Sequence, residues 1–401
     1  MLFIKPIDQI TFEDIENFCK EGLEESSRLE YKKDFSSKDA NFQIAKEIAS
    51  FANTYGGLLL IGINELDRKP KLPLEGIKYE EGLNERINSI ALSNIYPPVF
   101  PEVKVCQFQD QEKAVIVIRV SQSDETPHLL NKRTKIYVKV DSQSEPIEPP
   151  WEQIEWLINK RQKAIENKER LINRSRERFK FLCEGKPVTS FGEIFALPIF
   201  PSTRLVDFSN LKTVAKNSSY SGFNYSFPPY LSQPRIQPES LIYSEMFPLS
   251  AKVDYLEVNQ FGLIYYKKNL WEELDTRYKN KIGISSVLQM IFHFLSYVKS
   301  FYKNINYWGV LQITFKLEGI LGKSLFYESN PNSIEYFANI SKLYDNELTI
   351  NRKLLAGELI ESLDNYIADI HSEFLLSCGA DEIAQKKDQI LDQIKSLRRG
   401  Y

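Results

Sequence analysis

The sequence has little of the cysteine and histidine that stapled or metal-clamped domains use. Its four cysteines are scattered without paired spacing, and its three histidines lie far apart. This distribution argues against a disulfide framework, a zinc knuckle and a histidine-based metal or catalytic centre. Scattered cysteines favour a reducing compartment, so we expect a cytoplasmic protein.

Long hydrophobic runs are also missing. The stretch from Val287 to Val298 is interrupted by Gln289, His293 and Ser296, and the first residues show no basic leader before an apolar segment. A membrane-spanning helix needs about 20 mainly apolar residues, and a signal peptide needs that leader. We therefore expect neither a membrane span nor a signal peptide.

An excess of either charge is the third absence. The formal net charge is -3 at pH 7, whereas a protein that holds long duplexes through phosphate contacts is usually more basic. The composition therefore allows nucleic-acid binding without indicating it. What is present, 42% hydrophobic and 26% charged residues in a chain of 401, is typical of a folded protein, and domains of roughly 100–200 residues predict two of them.

The first 150 residues combine strand and helix periodicities. Helices are predicted after Thr11 and over 39–52, and strands at 28–35, 58–63, 103–108, 114–120 and 135–140. The strand at 28–35 alternates with period two, which places Glu30 and Lys32 side by side on one face. A strand, a helix and an apolar strand in succession predict a mixed α/β domain over residues 1–150.

A long helix and a second domain follow. The helix is predicted over 151–185, and its half rich in Lys and Arg, 160–180, is interpreted as a solvated face, with a phosphate-binding track as the alternative. Residues 186–401 predict an α+β domain with hairpins at 253–266 and 310–327 and helices at 287–302, 334–344, 353–376 and 382–397. No element is assigned over 191–248. The fold class predicted for the whole chain is α+β.

Three glutamates carry the chemical prediction. Glu25 precedes the first strand, Glu30 shares a face of it with Lys32, and Glu65 follows the apolar strand that belongs to the same sheet. Although single acids are usually only solvated, carboxylates that converge at strand ends can hold Mg²⁺ or Mn²⁺, and the ion can activate water at a scissile phosphate. A lysine beside them can stabilise the transition state.

These residues carry a family resemblance. The segments that matter are Glu25-Ser26, Leu29-Glu30-Tyr31-Lys32, Ser50-Phe51-Ala52-Asn53-Thr54, Gly56-Gly57 and Leu60-Ile61-Gly62-Ile63. In this combination they resemble the Schlafen AlbA-type domain, also called the divergent AAA-type domain. Two later segments resemble that family's closing strands, Thr126-Pro127-His128 and Ile136-Tyr137-Val138-Lys139-Val140, so the resemblance covers about residues 12–160.

The resemblance implies a nuclease site. Animal Schlafens use three carboxylates of this domain and a divalent metal to cleave tRNA and rRNA, and the first two carboxylates would fall on Glu25 and Glu30. Glu24 competes with Glu25 for the first position, and the family pattern favours Glu25 because Ser26 follows it directly. The family's third is usually an aspartate just after the apolar strand, where this chain has Asn64-Glu65-Leu66-Asp67. We predict Glu65 as the third metal ligand, with Asn64 and Asp67 as alternatives, and Lys32 as the contact to the phosphate.

The resemblance is compatible with three functions. The first is a metal-dependent endonuclease that acts on RNA, with tRNA as a candidate, in antiphage defence, while the C-terminal domain senses an unknown trigger. The second is a transcriptional regulator that binds nucleic acid without cutting it, and the third is an interaction or homo-oligomerisation module. The predicted contacts to the nucleic-acid backbone are Lys33, Lys132, Arg133 and Lys135.

Overall fold

The structure is a computed structural model, and it describes residues 2, 5–35, 39–130, 134–140, 145–184, 190–201, 203–221, 226–228, 234–246, 253–270, 280–326 and 342–399. The chain forms two compact units, residues 1–164 and 165–401. Both units combine helices with β-sheets, so the predicted α+β class is confirmed. The predicted domain limits at 150 and 185 stay predictions, because the helix Trp151–Leu182 contains the division between the units.

The first unit begins with a 3-10 turn, Ile7–Gln9, and then alternates helices with strands. Its elements are α1 (Phe12–Lys20), β1 (Leu29–Lys32), α2 (Ala40–Asn53), β2 (Gly57–Ile61), β3 (Glu65–Leu66), β4 (Lys69–Pro70), β5 (Ile77–Lys78), α3 (Leu83–Asn94), β6 (Glu102–Gln107), β7 (Lys113–Val120), β8 (Leu129–Leu130), β9 (Lys135–Ile136) and α4 (Trp151–Leu182), which continues into the second unit. The helix predicted after Thr11 is confirmed, and Thr11 and Asp14 form a capping box at its start.

A five-stranded sheet forms the centre of the first unit. Strands β1 and β2 pair in parallel with α2 as their crossover, β2 pairs antiparallel with β7, and β7 also pairs with β5 and β6. One face of the sheet packs on α2 and α3, and the other packs on α1. All five residues of β2 are buried because both faces are covered, as its continuous apolar run predicts.

Two features of the first unit differ from the prediction. No helix is predicted from the sequence where the structure has α3. Leu83, Ile87 and Ile90 face the core at helical spacing, but the helix starts after Gly82 without a side-chain cap, so its start has no capping signal in the sequence. The strand predicted over 135–140 is shorter, since β9 covers only Lys135–Ile136. The chain beyond it makes a single bridge, between Val138 and Ile147.

The second unit is built on a larger sheet. Its elements after α4 are β10 (Phe191–Pro198), α5 (Phe208–Ser218), β11 (Tyr220–Ser221), β12 (Ser226–Phe227), β13 (Arg235–Gln237), β14 (Ser240–Met246), β15 (Val253–Asn259), β16 (Ile264–Asn269), β17 (Lys281–Gly283), α6 (Ile284–Asn304), β18 (Val310–Glu318), β19 (Ser324–Phe326), β20 (Glu347–Leu355), α7 (Ala356–Glu361), α8 (Leu363–Ser377), α9 (Asp381–Ala384) and α10 (Lys387–Arg399). Seven strands pair antiparallel in the order β13-β14-β15-β16-β10-β18-β20.

The two faces of this sheet have separate cores. One contains α5, α6 and α8, and the other contains Leu171, Ile172 and Phe179 from the end of α4. Helix α6 is the most apolar long helix of this unit. No helix in the described ranges is both long enough and apolar enough to cross a bilayer.

The hairpin predicted at 253–266 is confirmed by β15 and β16, but the one at 310–327 is wrong. Strand β18 pairs with β10 and β20, while β19 leaves the sheet and pairs in parallel with β17. The helix predicted over 353–376 starts as the end of β20 and divides into α7 and α8, and the one over 382–397 divides into α9 and α10. The helix predicted at 334–344 lies almost entirely outside the described residues.

The basic half of α4 also differs from its interpretation. Its arginines bond to glutamates of the second sheet and its turns: Arg170 and Arg174 donate to Glu239, Arg176 donates to Glu193, and Arg178 donates to Glu257. Glu193 and Glu257 are fully buried. These arginines therefore fasten the helix to the sheet, although Arg170 and Arg176 keep 47% and 40% of their side chains exposed.

Candidate functional site

The candidate site lies where β1 and β2 end at the same edge of the first sheet. Their parallel pairing runs through Glu30 and Lys32. The chain enters β2 through Gly56, which has φ +71°, and Gly57, where a Cβ would lie 2.5 Å from the Phe51 ring. Both glycines are required by the tight turn from α2 into β2.

Glu25 is fixed just before β1 by several hydrogen bonds. Its N–H donates to the carbonyl of Arg68 at 2.9 Å, and the Arg68 guanidinium donates to the Glu25 carbonyl at 2.7 Å. The Glu25 carboxylate accepts from the N–H of Tyr31 at 2.9 Å and is buried. Burial, the charge of Glu30 and a hydrogen bond with Glu65 outweigh the Tyr31 bond and raise the pKa of Glu25 to about 8.

Glu65 is the acid after β2 that contacts Glu25. It starts β3, which pairs with β4 in a short hairpin, and its carboxyl group hydrogen-bonds that of Glu25. Asp67 is exposed in the turn between β3 and β4, with φ +51°. Of the candidates for the third acid, the structure brings Glu65 together with Glu25.

Glu30 is held by two lysines. One of its carboxylate oxygens contacts the Lys32 ammonium, and the other lies 2.5 Å from Nζ of Lys139. Glu47 of α2 lies 3.0 Å from Lys139 and 3.7 Å from Lys32. We call these four residues the Glu30 cluster. Within it only Lys32 faces solvent, with 35% of its side chain exposed against 2% or less for the other three.

The charges of the Glu30 cluster act on one another strongly because water is excluded. Burial and the charge of Glu30 raise the pKa of Glu47 to about 7, although Lys139 and Lys32 act in the opposite direction. Burial lowers the pKa of Lys32, but the carboxylates of Glu30 and Glu47 outweigh it and raise that pKa above its ordinary value. Lys32 therefore stays protonated at neutral pH.

Sequence reasoning missed Glu47 and Lys139. The Asn53 amide donates to the carbonyl of Tyr137 at 2.9 Å, and the Thr54 hydroxyl accepts from the N–H of Lys139 at 3.0 Å. These two bonds dock the chain after β9 on the end of α2 and bring Lys139 to the cluster. A signal was present, since Glu47 is a charge among the apolar residues of α2 and Lys139 follows two apolar residues of a strand-like segment.

Of the four residues predicted to contact the nucleic-acid backbone, the structure describes two, and these two have different surroundings. Lys33 is exposed and lines a cavity at the end of β1. Lys135 is exposed and lies 2.8 Å from Glu148, whose hydrogen bond and charge raise the pKa of Lys135. Lys132 and Arg133 lie outside the described residues. All four stay predictions.

A hard divalent cation fits the chemistry of one part of the predicted metal site. Glu25 and Glu65 present carboxyl oxygens in contact, the ligands that Mg²⁺ and Mn²⁺ prefer. Both oxygens of Glu30 bind lysine ammonium groups, so Glu30 would have to release one of them to become a ligand. Over the described ranges, no three His, Cys, Asp or Glu side chains are arranged to hold a metal ion. The three-glutamate centre stays a prediction.

A comparison with family models identifies the domain. The Schlafen, AlbA_2 family matches residues 25–148. The chain therefore contains a Schlafen AlbA_2 domain at these residues, which confirms the resemblance seen in the sequence, and the remainder of the chain has no family match. Among curated proteins, none matches the chain.

Two solved structures show a partial likeness. One is the DIP2311 protein from Corynebacterium diphtheriae, with 16% identity and a TM-score of 0.25 over 33% of this chain and 25% of that chain. The other is the N-terminal domain of a protein from Nitrosomonas europaea described as related to the ATP-dependent DNA helicase RecG, with 20% identity and a TM-score of 0.24 over 28% of this chain and 74% of that chain. The chain thus spans a quarter of the DIP2311 protein, and likenesses of this size carry no argument about function.

Proposed function

We propose that the N-terminal unit is an endonuclease that cleaves RNA with the Glu25–Glu65 pair and Lys32. The observation that carries the proposal is the buried Glu25 carboxylate, which the N–H of Tyr31 holds at 2.9 Å on the strand that also carries Lys32, a lysine whose side chain faces solvent. Burial raises the pKa of Glu25 to about 8. A catalytic acid or base works best when its pKa lies near the operating pH, whereas an ordinary carboxyl group titrates far below neutrality. The Schlafen AlbA_2 domain at residues 25–148 supports a nucleic-acid substrate.

Each side chain has a role that its position supports. Glu65 is exposed beside Glu25, so its carboxylate can accept the proton of an attacking hydroxyl. RNA carries such a hydroxyl at its 2′ position. Glu25, which its raised pKa of about 8 keeps protonated at neutral pH, can donate a proton to the oxygen that leaves phosphorus as the new P–O bond forms. Nζ of Lys32 is positioned to bind the phosphate oxygens on which negative charge develops. Glu30 holds Lys32 in place, while Lys139 and Glu47 hold Glu30.

The same acids are the residues that would hold a divalent cation, Glu25 and Glu65 first and Glu30 after release from a lysine. Bound Mg²⁺ or Mn²⁺ would neutralise charge on the scissile phosphate and activate water.

The experiment uses the full chain with tRNA, a transcript of mixed sequence, single-stranded DNA and duplex DNA, each in Mg²⁺, Mn²⁺ or EDTA. We expect cleavage of RNA that Glu25→Gln and Lys32→Gln each reduce by about 100-fold or more. Glu24→Gln is the matched control, because Glu24 is an exposed neighbour that pairs with Lys69 at 3.2 Å. It should cut as wild type does.

The outcomes separate the parts of the proposal. If wild type cuts nothing in any condition, or Glu25→Gln cuts as well as wild type, the nuclease assignment is wrong. Loss of cleavage in EDTA would assign the acids to metal binding, whereas cleavage that persists in EDTA would assign them to proton transfer.

A regulator that binds nucleic acid without cutting it is the second candidate. The observation that favours it is Glu30, whose two oxygens are both bonded to lysines and are therefore occupied in the absence of a competing ligand. Such a protein would bind nucleic acid with a strong dependence on salt, would leave it intact, and would respond little to EDTA.

We also propose that the C-terminal unit controls this activity, and that the chain serves as an effector of antiphage defence. The two-unit layout and the Schlafen AlbA_2 domain support this proposal. In bacteria that express the chain, wild type should reduce phage plaques and Glu25→Gln should not. Solution mass with and without RNA tests whether a homo-oligomer takes part.

A further inference from the structure

A cavity of about 540 Å³ lies at the end of β1, apart from the acids described above. It is bordered by the segment after β1, the first turn of α2, β5 and the start of α3. We call it the α3 pocket. Pockets that hold small ligands or single nucleotides usually measure about 300–1,000 Å³, so its size suits one nucleotide.

The α3 pocket combines positive charge with one aromatic face. Its lining contains three cations, Lys33, Lys78 and Arg86, against two acids, Asp34 and Glu80. The Arg86 guanidinium lies 4.4 Å from the centre of the Phe35 ring. Within the described ranges, neither Lys33 nor Arg86 is part of an ion pair, and Lys78 lies 3.9 Å from Glu80 with 84% of its side chain exposed. Lys33 and Arg86 are therefore open to an incoming anion, and Lys78 can join them by leaving a long, solvent-exposed ion pair with Glu80.

We propose that the α3 pocket binds a nucleotide of the RNA strand next to the bond that is cut, a proposal that rests on the proposed function. Lys33 and Lys78 bind the phosphate, and the base stacks on the plane of Arg86, which Phe35 supports from the other side. Bases stack on aromatic and guanidinium planes without regard to sequence, and phosphate contacts set the register of a strand on the protein. The pocket therefore positions the substrate and tolerates any base.

The position of the α3 pocket relative to the Glu30 cluster supports this assignment. Lys33 follows Lys32 directly in the chain. Helix α2 borders both sites, the pocket through Asn41 and the cluster through Glu47. At a rise of about 1.5 Å per residue these two positions are about 9 Å apart along the helix axis, so the pocket and the cluster are neighbours along α2.

The test measures binding by fluorescence anisotropy with a labelled eight-nucleotide RNA and, separately, with the mononucleotide uridine monophosphate. The full chain carries Glu25→Gln in every sample so that the RNA stays intact. Lys78→Gln with Arg86→Gln is the pocket variant, and Lys71→Gln is the control, because Lys71 is an exposed lysine outside the pocket lining. Thermal midpoints equal to that of the parent show that the variants fold.

We expect the pocket variant to bind the RNA about tenfold more weakly or worse. The slope of log affinity against log salt concentration should be shallower for the pocket variant, by about 1 for each phosphate that the variant no longer neutralises. In the cleavage assay without Glu25→Gln, it should raise KM and leave kcat near that of wild type. The control should match the parent in both assays.

The contrary outcomes are distinct. If the parent binds no RNA, the proposed function itself fails. If the parent binds RNA and the pocket variant binds it equally well, only the α3 pocket is wrong. If the variant loses uridine monophosphate but keeps full affinity for RNA, the pocket takes a free nucleotide, and the proposal of a strand-positioning site is overturned.

Discussion

Lys139 is the residue of the first unit whose replacement should cost most. Its ammonium group is fully buried, 2.5 Å from a Glu30 oxygen and 3.0 Å from a Glu47 oxygen. Lys139→Met keeps most of the side-chain volume and leaves two buried carboxylates facing each other. Removing one partner of a buried ion pair costs about 3–5 kcal/mol, and in a unit of this size that loss lowers the unfolding midpoint by on the order of 10 °C.

Two measurements distinguish the electrostatic cost of Lys139→Met from the cost of lost side-chain packing. Glu47→Gln added to Lys139→Met removes one of the two opposed charges, so the double variant should regain part of the lost stability. The deficit of Lys139→Met should also shrink at low pH. In the wild type, Glu47 already has a pKa of about 7, above its ordinary value of 4.5. Lys139→Met removes the lysine charge that lowers this pKa, so the folded variant binds a proton at Glu47 more readily than the unfolded chain does. Stability then falls as pH rises through this range.

The assay is thermal and urea unfolding of the full chain at pH 5 and pH 8, with hydrogen exchange to show that β1 and α2 are the segments that open. A Lys139→Met variant within about 1 kcal/mol of wild type at pH 8, or a deficit that is the same at both pH values, would refute the electrostatic account of the Glu30 cluster, since a buried unpaired charge costs several times more.

Three further predictions concern other parts of the molecule. Glu25 has a folded pKa of about 8 against an ordinary 4.5, so wild type should lose stability relative to Glu25→Gln as pH rises from 5 to 9; parallel melting curves across that range would contradict this. Gly57→Ala would place a Cβ 2.7 Å from the carbonyl oxygen of Arg28 and should cost about 1–3 kcal/mol in urea unfolding; unchanged stability would contradict this. Glu193→Ala removes the buried carboxylate that pairs with Arg176 and with the buried Lys267, and it should cost about 3 kcal/mol. Glu347→Ala, an exposed control, should cost about 1 kcal/mol or less; equal losses would show that burial does not decide the cost.

Short-range patterns predicted the elements that position the site. Period-two alternation placed Glu30 and Lys32 on one face of β1, and their contact confirms it. The capping residue before α1, the apolar face of α2 and the buried run of β2 were equally readable, because each depends on neighbours a few residues away.

The rest of the site depends on contacts between distant parts of the chain. Glu47 and Lys139 are 3.0 Å apart in space although they belong to segments at opposite ends of the domain, and no local periodicity links them. The choice of Glu65 depends on the β3–β4 hairpin, whose two-residue strands are too short to show a pattern.

The hairpin error in the second unit has a similar origin. Gly319 and Gly322 both have positive φ, as the glycines of a hairpin turn often do. The same backbone conformation lets β18 end and the chain leave the sheet. Strands β10 and β20 pair with the two edges of β18 and leave no edge free for β19. Because β10 and β20 lie far from the turn in the sequence, the turn itself does not reveal that the chain leaves the sheet.

The arginines that fasten α4 to the second sheet have an evolutionary consequence. Arg178 donates to Glu257 and Arg176 donates to Glu193, and both glutamates are fully buried. Losing Arg178 alone removes the charge partner of Glu257 in the protein interior, whereas Glu193 keeps Lys267 at 3.2 Å when Arg176 is lost. Homologues should therefore keep or lose Arg178 and Glu257 together and vary Arg176 more freely, so covariation along α4 would trace the docking of the helix and not the choice of a nucleic-acid target.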